Sequence, residues 1–427
     1  MDRSDFTANI SFVLSAHAQL INGNATLDNF ERVDIRSGSG NDKLTGGNLA
    51  DTFAGNAGND ALTGLAGGDW LYGGKGKDDL KGGDGADHLW AGDSYSAGAD
   101  SDADSLDGGD GNDQLYFNDG DKAVGGSGSD TAHLDLSALT AGVSFQFSTG
   151  SVKVNSTTSF SQMEVLDFTG TSGADNVTAG TGDDTLRGMA GNDVLNGAGG
   201  NNTLADGAGS DRLRGGNGDD VLFRNDFAGK DVFDGGSGTD TLSFNDEDDL
   251  SVKLDLADSS NNDGMALGLT VSSIERVFGS SQDDDISGTG AGEFLSGGSE
   301  GDKLDGRGGN DTLVGGAGAD LLTGGAGKDV FLFDDFLSGG DDVTDFSHGE
   351  DVIAIDYLTF HLKENYSLNL IQGTDPEAKT NAATFLYETD THRLWFDADG
   401  KAGDEEACLV ATFEDVKSLS ASDFDFV

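Results

Sequence analysis

The chain has 427 residues, of which 69 are Gly and one is Pro, and 24 basic residues stand against 78 acidic ones for a formal charge of −54. That length sets a prior of about three domains, the composition excludes collagen and Pro-rich linkers, and the charge repels nucleic-acid phosphates and anionic membrane surfaces while attracting cations. Only 13 of the acids are Glu and 65 are Asp, and short carboxylates beside so many glycines point to metal-binding turns. The single cysteine, Cys408, has no intramolecular disulfide partner, so bound metal is the natural staple. No run of 18 apolar residues is present to cross a membrane as a helix.

At the N-terminus, residues 10–14 followed by Ala16-His17-Ala18 imitate a signal-peptide core with its cleavage site, but Asp2 and Asp5 spoil the basic leader region. The segment reads instead as strand, because it recurs. Thr7-Ala8-Asn9-Ile10-Ser11-Phe12 matches Thr140-Ala141-Gly142-Val143-Ser144-Phe145, and Glu31 and Glu164 each follow that Thr by 24 residues. A third copy carries Leu250-Ser251-Val252 and Glu275. These Gly-poor stretches alternate apolar and polar residues, as half-buried strands do.

Behind each stretch lies a block of nonapeptides. The first runs Asp42, Asp51, Asp60, Asp69, Asp78, Asp87 at nine-residue spacing; the second Asp175, Asp184, Asp193, Asn202, Asp211, Asp220; the third Asp284, Glu293, Asp302, Asp311, Asp320, Asp329. The residue two places on is apolar in all eighteen cases, from Leu44 and Phe53 to Leu322 and Phe331. Copies such as Gly82-Gly83-Asp84-Gly85-Ala86-Asp87-His88-Leu89-Trp90 fit G-G-x-G-x-D-x-U-x. Glycines let the backbone curl so that main-chain carbonyls and Asp oxygens converge, and the x-U-x that follows is a minimal strand with its middle side chain inward. A hard cation that takes six to eight oxygens needs more than one such turn offers, so two turns must share each ion.

The chain therefore resembles the RTX, or hemolysin-type calcium-binding repeat, family from Asp42 to Phe331. The resemblance implies an all-β fold, a right-handed parallel β-roll in which two nonapeptides complete one coil. Turns 18 residues apart then stack, pairing Asp42 with Asp60 and Asp51 with Asp69. It implies multiple Ca²⁺ ions, with metal-binding positions at Asp42, Asp51, Asp60, Asp69, Asp78, Asp87, Asp113, Asp175, Asp184, Asp193, Asp211, Asp220, Asp240, Asp284, Asp302, Asp311, Asp320 and Asp329. Asn202 is expected to weaken the sites shared with Asp184 and Asp220, and the longer Glu293 to misplace its carboxylate beside Asp311.

Modules two and three open with Gly125-Gly126-Ser127-Gly128-Ser129-Asp130 and Gly235-Gly236-Ser237-Gly238-Thr239-Asp240, whereas module one lacks such an opening. The chain thus reads as starting partway through a module, as a fragment or an uncapped solenoid end. The expected domains are 1–124, 125–234 and 235–332, each a strand segment plus a repeat block, and 333–427. The last carries Asp342-Val343-Thr344-Asp345-Phe346 and Phe396-Asp397-Ala398-Asp399-Gly400. It is similar to the C-terminal domain of serralysin-type proteins, and Ser420-Ala421-Ser422-Asp423-Phe424-Asp425-Phe426-Val427 resembles their uncleaved type I secretion signal. Partners implied are calcium and a type I secretion apparatus, with a secreted, extracellular or cell-surface location outside a Gram-negative cell.

Catalytic motifs are absent or only formal. No H-E-x-x-H occurs among the six His residues, and no G-K-[ST] serves a P-loop. Gly297-Gly298-Ser299-Glu300-Gly301 matches G-x-S-x-G but falls in the repeat register without a strand-to-helix context. Asp100, Asp102 and Asp104 begin like an EF-hand loop yet lack its Gly and terminal Glu, and read better as a solvated acidic insertion. Asp397 and Asp399 fit an EF-like loop or a plain turn equally, and His348 reads as a surface residue. The expectation is a noncatalytic calcium-binding protein or carrier region, the alternative being a polysaccharide-binding or adhesion rod. That alternative rests on Trp70, Tyr72, His88 and Trp90, whose 18-residue spacing makes them neighbours in an exposed aromatic platform unless the insertion at residues 91–103 folds over them.

Overall fold

The computed structural model describes residues 11–13, 19–21, 25–27, 32–92, 102–244, 250–334, 340–363, 367–400 and 407–427. Among them the regular structure is strand throughout, apart from short 3₁₀ turns at Ser259–Asn261 and Ala421–Asp423. The fold is a parallel β-solenoid. Contacts divide the chain into two units, one comprising residues 1–221 with 236–238, the other residues 222–235 with 239–427.

In the first unit one parallel sheet stacks Asp34–Arg36, Thr52–Ala57, Trp70–Lys75, His88–Trp90, Gln114–Phe117, Thr131–Asp135, Val165–Thr169, Thr185–Ala190 and Thr203–Ala208 in that order. A second sheet stacks Lys43–Thr45, Ala61–Ala66, Asp79–Asp84, Ser105–Asp110, Lys122–Ser127 and Ser159–Ser161. A third joins Ser144–Gln146, Asn176–Thr178, Val194–Gly199 and Arg212–Asn217. The register pairs Lys43 with Ala61 and Thr52 with Trp70, the 18-residue offset that the two-nonapeptide coil requires.

The second unit repeats the plan. Thr241–Phe244, Arg276–Phe278, Phe294–Ser299, Thr312–Ala317, Val330–Phe333, Val352–Ile355 and Phe424–Phe426 form one parallel sheet. Val252–Asp255, Asp285–Ser287, Lys303–Asp305, Leu321–Thr323, Asp341–Val343 and Cys408–Phe413 form the other, which turns antiparallel at Arg393–Asp397 and Thr384–Glu388. Parallel pairing thus continues beyond Phe331, where the nonapeptides end, and takes in the last strand of the chain.

Alternation builds the core. The apolar residue two places after each repeat Asp is fully buried in every copy, from Leu44 and Phe53 to Leu322 and Phe331, while its neighbours on either side keep some exposure except Trp90 and Val314. The turns depend on glycine. Gly85 has φ +135°, and a Cβ there would overlap the carbonyl oxygen of Gly67 one coil away. Gly349 has φ +83° but no atom within 4 Å of such a Cβ. Gly85→Ala should therefore cost about 2–4 kcal/mol of stability with calcium present, left-handed backbone strain plus overlap, against about 1 kcal/mol for Gly349→Ala. Denaturant unfolding of both variants checks this, and equal losses would contradict it.

Candidate metal centres

Each repeat Asp sits at the end of a glycine turn, just before an inward strand residue, and its side chain runs along the stack to the neighbouring coil. In the first unit the main-chain N–H of Asp51 donates to Asp69 Oδ1 (2.6 Å), that of Asp69 to Asp87 (2.7 Å), of Asp87 to Asp113 (2.8 Å) and of Asp113 to Asp130 (2.8 Å). On the other edge Asp42 donates to Asp60, Asp60 to Asp78, Asp78 to Asp104 and Asp104 to Asp121. Farther along, Asp175, Asp193 and Asp211 form one series and Asp184, Asn202 and Asp220 another. In the second unit Asp284, Asp302, Asp320 and Asp341 are joined in the same way, as are Glu293, Asp311, Asp329 and Asp351. Asp240 donates to Glu275 Oε2 at 2.8 Å.

These carboxylates are buried, and one N–H satisfies only one oxygen of each. Oδ2 of Asp60, Asp69, Asp87, Asp113, Asp130, Asp193, Asp302, Asp311 and Asp320 is buried with no hydrogen-bond donor. An orphaned buried charge of this kind is costly. Beside each such oxygen lies a bare glycine: a Cβ on Gly55 would collide with Asp60 Oδ2 and the Gly73 carbonyl, one on Gly82 with Asp87 Oδ2 and the Gly108 carbonyl, and one on Gly306 with Asp311 Oδ2 and the Gly324 carbonyl. Carboxylate and main-chain oxygens of successive coils therefore face a common space that only glycine leaves open. Among the described residues no group of three or more His, Cys, Asp or Glu side chains is placed to hold one metal ion, so a cation here would be held largely by carbonyls. An all-oxygen, carbonyl-rich donor set is one that Ca²⁺ accepts.

Burial, reinforced by nearby like charges, lifts these acids despite the N–H bond. Asp60 and Asp302 are pushed up to about 8, Asp87, Asp193 and Asp311 to about 7, and Asp69, Asp113 and Asp184 to about 6. For Asp60 the neighbours are Asp78 and Asp42.

The ladder includes members that the nine-residue spacing does not reach. Asp104, which read as part of a solvated acidic insertion, is buried between Asp78 and Asp121; the insertion lengthens one coil from 18 to 26 residues without changing the register. The same offset of 26 at both Asp78–Asp104 and Asp87–Asp113 is the signal that locates it. Asp130, Asp341 and Asp351 are also ladder residues, and the module-bound Glu164 takes the rung after Asp130 (2.9 Å). Asn202 keeps the rung, accepting from Asp184 N–H and turning its amide NH₂ to Asp220 Oδ1 (2.9 Å). Glu293 bends back to the Thr289 hydroxyl. Asp397 Oδ1 closes a turn by accepting from Gly400 N–H at 2.6 Å, and His348 Nδ1 pairs with the buried Asp423 carboxylate at 2.9 Å.

The aromatic residues are neighbours, with Trp70 on His88 (4.5 Å between ring centroids) and Tyr72 on Trp90 (4.6 Å). They do not form the expected exposed platform. Trp90 is only 6% exposed, because its faces are taken by Tyr72 and by Tyr116 at 4.6 Å. The column continues through Tyr116 and His133 (4.0 Å) to Asp167, which accepts from His133 and Arg187. Residues 93–101 of the insertion, and the signal-like segment at 14–18, lie outside the described residues.

A family model for the RTX calcium-binding nonapeptide repeat (four copies) matches residues 36–71, 63–94, 99–121, 169–204, 196–228, 207–242, 227–250 and 296–331. No curated protein matches the chain.

The raised carboxylates set a pH dependence. Their folded pKa lies above the unfolded value of ~3.9, so the calcium-free fold is most stable below that value and loses stability as pH rises through about 6 to 8. In chelator, the fraction of protein with a β spectrum in circular dichroism should fall as pH rises from 4 to 8.5; a flat or rising profile would contradict it.

Proposed function

Because the chain belongs, through these repeats, to the RTX calcium-binding family, we propose that it is a noncatalytic, calcium-folded β-roll exported by a type I apparatus. It works outside the cell as a calcium-binding protein or as the carrier region of a larger exoprotein. The observation that carries this reading is the array of buried Asp Oδ2 atoms without donors, each beside a bare glycine and, at Asp60, Asp87, Asp113, Asp130, Asp193 and Asp311, also beside a carbonyl of another coil. Asp60, Asp69, Asp87, Asp113, Asp193, Asp302, Asp311 and Asp320 would hold the ions together with those carbonyls. Bound Ca²⁺ supplies positive charge and up to eight oxygen bonds. The chain's own part is to fix each carboxylate by the N–H one coil away and to keep the turn open with glycine.

Without the ion, a chain of charge −54 repels itself. A calcium-poor cytoplasm then favours the extended chain that a type I channel needs, and millimolar calcium outside favours the coil. Each site contributes about 1.4 kcal/mol for calcium at tenfold above its Kd. Far-ultraviolet circular dichroism at pH 7.5 should change from a disordered to a β spectrum when millimolar calcium replaces chelator. A β spectrum indifferent to chelator would sink the reading.

Export is assigned to the C-terminal segment, in keeping with its similarity to serralysin-type tails. Deleting residues 418–427 should abolish release through a matching type I exporter. That deletion also removes the strand Phe424–Phe426, so His348→Ala, which cuts only the tie to Asp423, serves as comparison and should be released normally. Undiminished release of the deletion, or equal loss in His348→Ala, would contradict the assignment.

A further inference from the structure

The aromatic column has an end, and the end has the makings of a binding site. Strand register places Asp34, Thr52, Trp70 and His88 on one line of successive coils, and Arg36, Ala54, Tyr72 and Trp90 on the line beside it. Both lines face outward, since Ile35, Phe53, Leu71 and Leu89 between them are in the core. His88 covers one face of Trp70, at 4.5 Å and an interplanar angle of 28°. The other face looks back over Thr52, and among the described residues no ring lies on it. Trp70 is 37% exposed, the largest exposed aromatic of the column. Beyond the short Thr52 and Ala54, the exposed Asp34 and Arg36 rise from the next coil.

Trp70 thus forms one wall, Thr52 and Ala54 the floor, and Asp34 with Arg36 the opposite side, across two strand spacings or roughly 9–10 Å. A ring seated over Thr52 would continue the column at the spacing His88 already keeps on the far face. We propose that this step is a subsite for one pyranose ring of a neutral polysaccharide. The apolar face of the sugar stacks on Trp70, its hydroxyls meeting the Thr52 hydroxyl, the Asp34 carboxylate as acceptor and the Arg36 guanidinium as donor. A flat aromatic ligand would make no use of the Thr52 hydroxyl or the Arg36 guanidinium, and an acidic polymer would meet the charge of −54. The subsite rests on the coil register, the ring contact with His88 and the exposure of Trp70, and it stands or falls independently of export.

The test is affinity electrophoresis of the calcium-loaded full chain through gels containing hydroxyethylcellulose, galactomannan or soluble starch, with polygalacturonate as the acidic comparison. At least one neutral polymer should retard the protein. Trp70→Ala should weaken retardation about tenfold, the scale of one lost stacking contact. Thr52→Trp, which fills the step with a protein ring and touches no core residue, should abolish retardation while the calcium-loaded circular dichroism stays unchanged. Unaltered retardation of Thr52→Trp, no retardation by any neutral polymer, or retardation by polygalacturonate alone would overturn the proposal. Should Trp70→Ala not fold, Thr52→Trp decides.

Discussion

Everything in this fold turns on carboxylates buried one above another at the spacing of a β-sheet. The inward residues make an apolar core only a few side chains wide, so each coil must be closed by its turns, and the turns carry the negative charge. A main-chain N–H from the adjacent coil satisfies one oxygen of each Asp. It does not neutralise the charge, and burial leaves Asp60 and Asp302 with their ionisation displaced to about 8. At neutral pH the protein alone lacks the positive charge to complete its own turns.

The few carboxylates that do meet a side-chain cation show the contrast. Asp255 receives both guanidinium nitrogens of Arg307, at 2.8 and 2.7 Å, and is held well below the usual carboxylate range by that pairing. Asp231 pairs with the fully buried Arg224 at 2.9 Å. Asp167, although burial works against ionisation, is kept low by hydrogen bonds from His133 and Arg187. Arg307 springs from the turn before Asp311 but reaches across to Asp255, off the ladder, and Asp231 stands two places before the buried Phe233 as the ladder acids do. Beside the Oδ2 atoms without donors a Cβ would collide with the carboxylate, so no side chain can grow from that point to neutralise it, and a small cation held by those oxygens is what the geometry leaves.

Much of this was legible in the sequence, because the repeat carries its own physics: the Asp, the glycines and the apolar residue two places on specify turn, cradle and core together. The coil offset of 18 residues followed, and so did the stacking of Trp70 on His88. What escaped was whatever depends on loops of irregular length. Asp104, Asp121 and Asp130 stand 26 and 17 residues from their partners, Glu164 34, and Asp341 and Asp351 21 and 22, because outward loops absorb insertions while the inward register holds. The aromatic residues were placed correctly as neighbours and wrongly as a platform. Spacing along a strand tells which rings meet, but ring faces that stack along the solenoid axis are spent on one another, which hides Trp90 and leaves Trp70 as the open end.

The central claim, that solvent cations complete the buried turns, is tested most directly by counting them. Folded protein dialysed to equilibrium against millimolar calcium and assayed by atomic emission should carry, above the calcium of the dialysate, on the order of ten bound ions per chain, as expected if stacked turns share them in pairs. Folded protein that retains less than one calcium per chain would contradict the account.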